Sequence, residues 1–580
     1  MKKFKKLFAV ILSLAMVLGM SMTSFAATPS DTDKAELKIT KLRGGETVKL
    51  YQIASAEYGK NGTQGFLKYN WNEGVEFEDK DKPTADELNA LAKKITTVGN
   101  LVDTKTMSAE ETVYSYTAAA GAYIAIITAA DNSTVYNPII LSAAYGKEDA
   151  DKGSLSGAEI GATDSYLFGT TAVAKSSDVT FSKGMEGYTP DTDDAGNEVP
   201  TASVGQVLTY TLNAKVPSYP ANAENKTFFM SDTMVTGLTF DYDSLVVKYN
   251  GKTITGSKTS SKQFVYEGKV IANAVATRTG ETITGFNINF IYDNLISDEA
   301  TGALYADVIS VEYKAVINST AVVGQTGNEN DAELYYAKQP NQGSTWDTPD
   351  EKPETDEASG NAKKEDKKIV YTYQLAFEKE DSESKEKLAD ARFGIYSDAE
   401  CTKLIDEVVT NKEGYAVSTK IGAGTYYIKE LQAPDGYSLN DTVYQAVASW
   451  TSATTTITGE VTAREYTTEK PSEDALQVGW IENGIYYSTK PSDNAKPAYI
   501  KSETKQTTID ETIETNVEAG TVTKLTLVGT DEEVGAIPNT TLASLPSTGG
   551  IGTTIFTIGG CLIMVVAAAL FFASRRKSAK

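Results

Sequence analysis

Histidine is missing from all 580 residues, and cysteine occurs only twice, as Cys401 and Cys561. The first absence removes the usual general base of serine and cysteine hydrolases and the commonest imidazole metal ligand. The second removes any disulfide framework, because Cys561 sits in an apolar tail and Cys401 stands alone in the body. Basic residues are also scarce, 54 against 78 acidic ones, for a formal net charge of −24. A chain that acidic has no basic stripe and repels nucleic acid, which is excluded as a partner. Nothing points to a cofactor or a resident metal. A glycosidase working through two carboxylates is chemically open to so acidic a chain, but no carboxylate pair stands out. The length exceeds what one core serves, so several domains are expected.

Long apolar runs occur at the two ends. At the start, Lys2, Lys3, Lys5 and Lys6 precede an apolar stretch, and Ser24-Phe25-Ala26 offers small residues for cleavage. Residues 1–26 therefore read as a secretory signal peptide. At the other end, LPSTGG (545–550) abuts an uncharged run, 551–573, that is followed by Arg575, Arg576 and Lys577. That run meets the ~20 residues a transmembrane helix needs, and the basic cluster places its far end in the cytoplasm. The body between is exported and held by its tail.

Between these ends the pattern is β. Short runs of alternating polarity, rich in Val, Thr, Ile and Tyr, recur at 207–216, 282–292, 308–317 and 425–431. One helix is predicted over 84–95, with Thr84 as N-cap, Glu87 completing a capping box, and Leu88, Leu91 and Ile95 on one face. The expected fold is mainly β: tandem β-sandwiches, a small helical insertion in the first, and a C-terminal transmembrane helix. The boundaries fall at 27–176, 177–338 and 369–543. The polar, Pro- and Gly-bearing stretch 339–368 reads as a linker, and 545–580 as a separate terminal signal.

Three motifs carry a resemblance. The first, LPSTG before an apolar span and a basic tail, looks like the LPXTG cell-wall sorting signal of Gram-positive surface proteins. The resemblance implies recognition of Leu545, Pro546, Ser547, Thr548 and Gly549 by a sortase. Its cysteine would attack the Thr548 carbonyl, release Gly549 onward, and pass the acyl group to an amine of a peptidoglycan precursor or of another subunit. Pro546 keeps the segment extended, as capture in a groove requires.

The second, YYIKELQAPDGY (426–437), resembles the signature of Cna-B-type domains. Members join a Lys on the first strand to an Asn on the last by a spontaneous isopeptide bond, assisted by the signature's acid. The matching positions are Lys379, Glu430 and Asn539, with Asn516 a competing acyl donor. The chemistry has a physical logic, since burial lowers a lysine pKa and keeps a carboxyl protonated. Apolar neighbours such as Phe377 and Ile428 are placed to do both.

The third is the run VTFSK (179–183), MSDTM (230–234) and VEYKAVINSTAVVGQTGNEND (311–331), which resembles the middle domain of pilin backbone subunits. It implies Lys183 as amine, Asp232 as assisting acid and Asn318 as acyl donor, with Asn328 and Asn330 as competitors. Pilin backbones also carry a polymerising lysine just before this domain. Lys175 holds that position, with Lys147 a rival.

The chain is thus similar to a Gram-positive LPXTG pilin backbone subunit. Implied partners are a sortase, other pilin subunits, a peptidoglycan precursor and a host surface or matrix ligand. The alternative is a monomeric wall-anchored adhesin that does not polymerise.

Overall fold

The computed structural model describes residues 34–58, 66–78, 85–131, 134–143, 170–219, 223–280, 282–298, 303–324, 326–450, 455–458, 465–501, 512–515, 521–522, 525–541 and Met564. The predicted signal peptide and sorting motif lie outside these residues, as does the apolar run 551–573 apart from Met564. Among the described residues no helix is long and apolar enough to cross a membrane. The chain divides into two compact units, residues 1–372 with 479–496, and residues 373–478 with 497–580.

The first unit begins with a small β domain. The strand Lys34–Thr40 lies between Tyr114–Ala119, antiparallel, and Thr171–Val173, parallel. A second sheet runs in the order Phe66–Trp71, Thr47–Tyr58, Gly121–Thr128, Ile139–Ala143. Leu37, Ile39, Leu50, Ile53, Ile124 and Leu141 are fully buried in the core the two sheets share. The predicted helix forms over Ala85–Lys93 and resumes at Ile95–Val98, and Leu91 and Ile95 enter that core. Thr84 lies outside the described residues. The Glu87 carboxylate accepts the Glu78 amide at 2.5 Å.

Next comes a two-sheet domain. Its five-stranded sheet runs Phe181–Glu186, Val207–Lys215, Val308–Ile317, Leu238–Tyr249, Lys252–Thr255. Its six-stranded sheet runs Ser261–Tyr266, Lys269–Thr279, Thr282–Phe290, Phe228–Met234, Asn328–Ala337, Asn361–Val370. Burial alternates strictly along Val207–Lys215, so Leu208, Tyr210, Leu212 and Ala214 point into the core.

The linker expected over 339–368 is corrected here. Asn361–Val370 pairs in ten-residue register with Asn328–Ala337 and forms the edge of the six-stranded sheet. Its run of Lys, Glu and Asp is what a solvent-facing edge strand carries to avoid pairing with another chain. The loop before it is pinned by buried Asn225, whose Nδ2 donates to the carbonyls of Gln342 (3.0 Å) and Ser359 (2.8 Å).

In the second unit, Gln374–Asp381 pairs antiparallel with Tyr415–Val417 and parallel with Thr521–Val522 and Ile537–Asn539. The other sheet runs Leu404–Val409, Arg392–Tyr396, Gly424–Gln432, Val443–Ala448, Leu525–Leu527, Glu533–Val534. The expected third domain, 369–543, is not continuous, because residues 479–496 belong to the first unit. There the Ser488 amide donates to the Gly205 carbonyl at 2.9 Å, and the Tyr486 ring lies where a side chain at Gly205 would stand.

Candidate functional site

Each unit buries one lysine against one carboxylate and one asparagine. In the first unit Lys183 extends from the five-stranded sheet, while Asp232 and Asn330 stand on neighbouring antiparallel strands of the six-stranded sheet. Met234 is the direct partner of Asn330 and Ala332 that of Asp232, so the two polar side chains share the inward face two positions apart. Lys183 Nζ reaches Asp232 Oδ2 at 2.6 Å, with both side chains wholly buried. The Tyr313 hydroxyl donates to the same oxygen at 2.5 Å and accepts from Asn330 Nδ2 at 3.1 Å. The Lys183 ammonium lies 5.2 Å and 6.0 Å from the ring centroids of Tyr210 and Tyr313, which stack on each other.

Burial drives the Lys183 pKa down against the pull of Asp232, and drives the Asp232 pKa up against the pull of Lys183. Both shifts favour the neutral pair that amine attack requires. Asp232 Oδ1 and Asn330 Oδ1 are buried with no hydrogen-bond partner. Buried polar atoms are usually paired in folded proteins.

Asn318 is not in this cluster. It is half-buried after the Val308–Ile317 strand, where Nδ2 donates to the Thr236 carbonyl (2.7 Å) and Thr239 Oγ1 (3.0 Å). Its Oδ1 accepts from the Thr320 amide and hydroxyl. It therefore caps a turn away from Lys183, and the asparagine that the fold brings beside Asp232 and Tyr313 is Asn330. Asn328, the other competitor, is buried but occupied by the Val322 backbone.

In the second unit Lys379 and Asn539 lie on adjacent parallel strands. Lys379 is opposite Ile537 and Asp381 opposite Asn539, so the two side chains share one face. Glu430 comes from the other sheet. Its oxygens accept from Asn539 Nδ2 at 3.0 Å and 3.2 Å, and one also accepts the Asn440 amide at 2.7 Å. Lys379 Nζ donates to the Ile537 carbonyl at 2.9 Å and lies 3.9 Å from Glu430 Oε1. All three side chains are buried, and Asn539 Oδ1 has no partner. Burial brings Lys379 down to about 8 and pushes Glu430 up. Phe377 packs edge-on against Phe393, the strand neighbour of Glu430, and Ile428 is fully buried. Asn516 lies outside the described residues.

Lys175 sits between the strands Thr171–Val173 and Ser176–Asp178. It is half-buried, burial lowers its amine pKa, and its carbonyl accepts the Asn137 amide at 3.3 Å. Lys147 and the LPSTG segment lie outside the described residues. Among the described residues no group of three or more His, Cys, Asp or Glu is placed to hold a metal ion.

Sequence reasoning missed Tyr313 altogether. Its signal was a tyrosine in the inward row Ile309, Val311, Tyr313, Ala315, where aliphatic residues otherwise stand.

Four family models match in sequence order. They are a T6 antigen Ig-like domain at 32–176, the Gram-positive pilin backbone subunit 2 Cna-B-like domain at 204–340, a prealbumin-like fold domain at 373–463, and the LPXTG cell-wall anchor motif at 537–580. The fold and its anchor define a Gram-positive LPXTG pilin backbone subunit, and the chain belongs to that family. It is a structural subunit of a sortase-assembled pilus, attached to the cell wall. In particular, it is 40% identical over 576 residues to the trypsin-resistant surface T6 protein of Streptococcus pyogenes serotype M6, covering 98% of this chain and 99% of that one. The solved T6 backbone pilin of serotype M6 S. pyogenes superposes with a TM-score of 0.69 at 38% identity, over 88% of this chain and 99% of its own.

Proposed function

We propose that this shaft subunit is stiffened by two intramolecular isopeptide bonds, Lys183–Asn330 and Lys379–Asn539, formed without any other enzyme. Asp232 and Glu430 are the assisting acids. Subunits are then joined when a sortase cleaves between Thr548 and Gly549 and transfers the Thr548 carbonyl to Lys175 of a neighbour or to a peptidoglycan precursor. The observation that carries the intramolecular part is the recurrence, in two differently connected sheet pairs, of a buried lysine, a carboxylate and an asparagine whose amide oxygen is unsatisfied. Burial of an ionised lysine and carboxylate is costly, and it persists where those groups have a task. Lys175 stands at the junction before the Lys183 domain, half-buried in a site that lowers its amine pKa.

Mass spectrometry tests the bonds. Each amide exchange expels ammonia, so the chain loses about 17 Da per bond and digests contain the joined peptides. Unjoined peptides at all four positions refute the bonds. For polymerisation, Lys175→Ala in the native host abolishes the high-mass ladder on a denaturing gel. A ladder that persists rules out Lys175. A wild-type chain that is never found in a ladder is a monomeric adhesin.

A further inference from the structure

We propose that Tyr313 is a catalytic residue of the Lys183–Asn330 bond, the group that delivers a proton to the departing amide nitrogen. The inference rests on the isopeptide reading above.

The two triads differ at one contact. In the second unit the assisting carboxylate touches the acyl donor directly, with both Glu430 oxygens within 3.2 Å of Asn539 Nδ2. In the first unit Asn330 Nδ2 donates instead to the Tyr313 hydroxyl, with Asp232 close enough for the amide to pull its pKa down. Asp232 Oδ2 is taken by Lys183 Nζ at 2.6 Å and by the Tyr313 hydroxyl at 2.5 Å. The hydroxyl then accepts from Asn330 Nδ2 at 3.1 Å. The Tyr313 hydroxyl shares its hydrogen bond with Asp232 Oδ2, and the amide nitrogen is the group of Asn330 within reach of the phenol oxygen. The line Lys183 Nζ, Asp232 Oδ2, Tyr313 OH, Asn330 Nδ2 is a continuous hydrogen-bond chain from nucleophile to leaving group.

The neighbours fix the phenol in that line. Tyr313 is fully buried, stacked on Tyr210 at 5.5 Å, and met edge-on by Phe240 at 5.5 Å and Phe286 at 5.0 Å. That packing keeps the phenol away from bulk solvent and offers the proton a path through protein groups. Burial and the Asp232 charge hold the phenol well above its ordinary pKa, which keeps Tyr313 a relay that gives one proton as it receives another.

The step balances as follows. Lys183 passes one proton to Asp232, and its nitrogen lone pair forms the bond to Asn330 Cγ. Tyr313 donates its hydroxyl proton to Nδ2 and is reprotonated by Asp232. The Cγ–Nδ2 bond breaks, and Nδ2 leaves as ammonia with its own two hydrogens and the third from Tyr313. The new amide nitrogen sheds its surplus proton to Asp232, which ends as a neutral acid. No oxidant, reductant or further reactant is needed.

The test uses the full chain synthesised in a short pulse, chased at neutral pH, quenched in acid and digested. The joined fraction is read for both bonds against time. In Tyr313→Phe the Lys183–Asn330 peptide is expected to form roughly 100-fold more slowly, the usual worth of a positioned proton donor. The Lys379–Asn539 peptide forms at the wild-type rate and reports that the chain is intact. A Lys183–Asn330 bond forming at the wild-type rate in Tyr313→Phe overturns the role of Tyr313 and leaves the isopeptide reading standing. Absence of that bond from the wild-type chain overturns the reading itself. A second variant carries a difluorinated tyrosine at position 313, which preserves packing and acidifies the phenol. It is expected to change the rate severalfold, and an unchanged rate counts against the proposal even if Tyr313→Phe does not fold.

Discussion

The two lysine sites bring the same three groups together by opposite wiring. In the first unit the carboxylate and the asparagine share a sheet, and the lysine crosses from the facing one. In the second the lysine and the asparagine share a sheet on parallel strands, and the carboxylate crosses. A Lys183–Asn330 bond therefore ties two layers together, whereas a Lys379–Asn539 bond ties first and last strands within one layer. The difference also sets who holds the lysine. The hydrogen-bond partner of Lys183 Nζ is Asp232 at 2.6 Å, with the Tyr210 and Tyr313 rings beside it, while Lys379 has the Ile537 carbonyl at 2.9 Å and stands 3.9 Å from its acid. What the sites have in common is burial and an unsatisfied asparagine oxygen, and neither needs a particular strand order.

The largest expected effect comes from removing an acyl donor. Asn330→Ala leaves a chain with no cross-link around a loop of roughly 150 residues. By the loop-closure relation for covalent cross-links that is worth about 5 kcal/mol. Calorimetry should show the middle domain melting about 10–20 °C lower. Asn539→Ala should do the same to the second unit, and a fall in only one of the two would break the equivalence of the sites.

Removing the acids separates them more finely. Asp232→Ala blocks the bond and also strips Lys183 of its buried counter-charge, which adds about 3–5 kcal/mol of destabilisation. Glu430→Ala blocks the bond but leaves Lys379 its carbonyl, so its additional loss should be clearly smaller. Urea titration of each variant against Asn330→Ala and Asn539→Ala reads the difference, and equal losses would refute the wiring described.

A smaller effect is pH-dependent. In the unreacted Asn539→Ala chain Lys379 titrates at about 8 when folded, against 10.5 ordinarily. The unfolded chain holds the proton to higher pH, so stability rises as pH climbs from 8 to 10.5, by about 3 kcal/mol in all. Comparison with the Lys379→Met, Asn539→Ala double variant isolates that slope; a flat difference would place Lys379 in contact with water. Smallest of all, Asn318→Ala should cost about 1 kcal/mol for a lost turn cap, with the Lys183–Asn330 peptide still joined.

Much of this was legible in sequence because it is local. The strands predicted at 207–216, 282–292 and 308–317 appear as Val207–Lys215, Thr282–Phe290 and Val308–Ile317. Lys183 sits at an inward position of its strand, Asp232 lies in a strand with five buried residues in succession, and Glu430 sits in a long signature. Asn318 misled because it follows the last strand with apolar alternation. The two strands after it do not look like strands. Asn328–Ala337 opens with buried asparagines where turns usually place them, although Asn328, Asn330, Ala332, Leu334 and Tyr336 keep an inward period of two. Asn361–Val370 is an edge, and its charged composition matches that of a linker. The departure of residues 479–496 to the first unit is a tertiary choice that Thr-rich composition does not encode.

That edge strand has a mechanical consequence. With Lys183 bonded to Asn330, a pull along the shaft skips every residue between them, but roughly 40 residues, from Asp331 to Val370, lie beyond the covalent loop. They are held by the hairpin of Asn328–Ala337 and Asn361–Val370, by the ladder of Asn328–Ala337 with Phe228–Met234, and by the Asp366 carboxylate, which accepts the Lys183 amide at 2.7 Å. Asn330 faces Lys368 near the open end of that hairpin, so force parts its rungs one after another instead of shearing all of them together. Fully extended, the segment spans about 130 Å, a length that a single-molecule extension trace would register. Were that bond present, the subunit would hold hidden length beside a link that does not part.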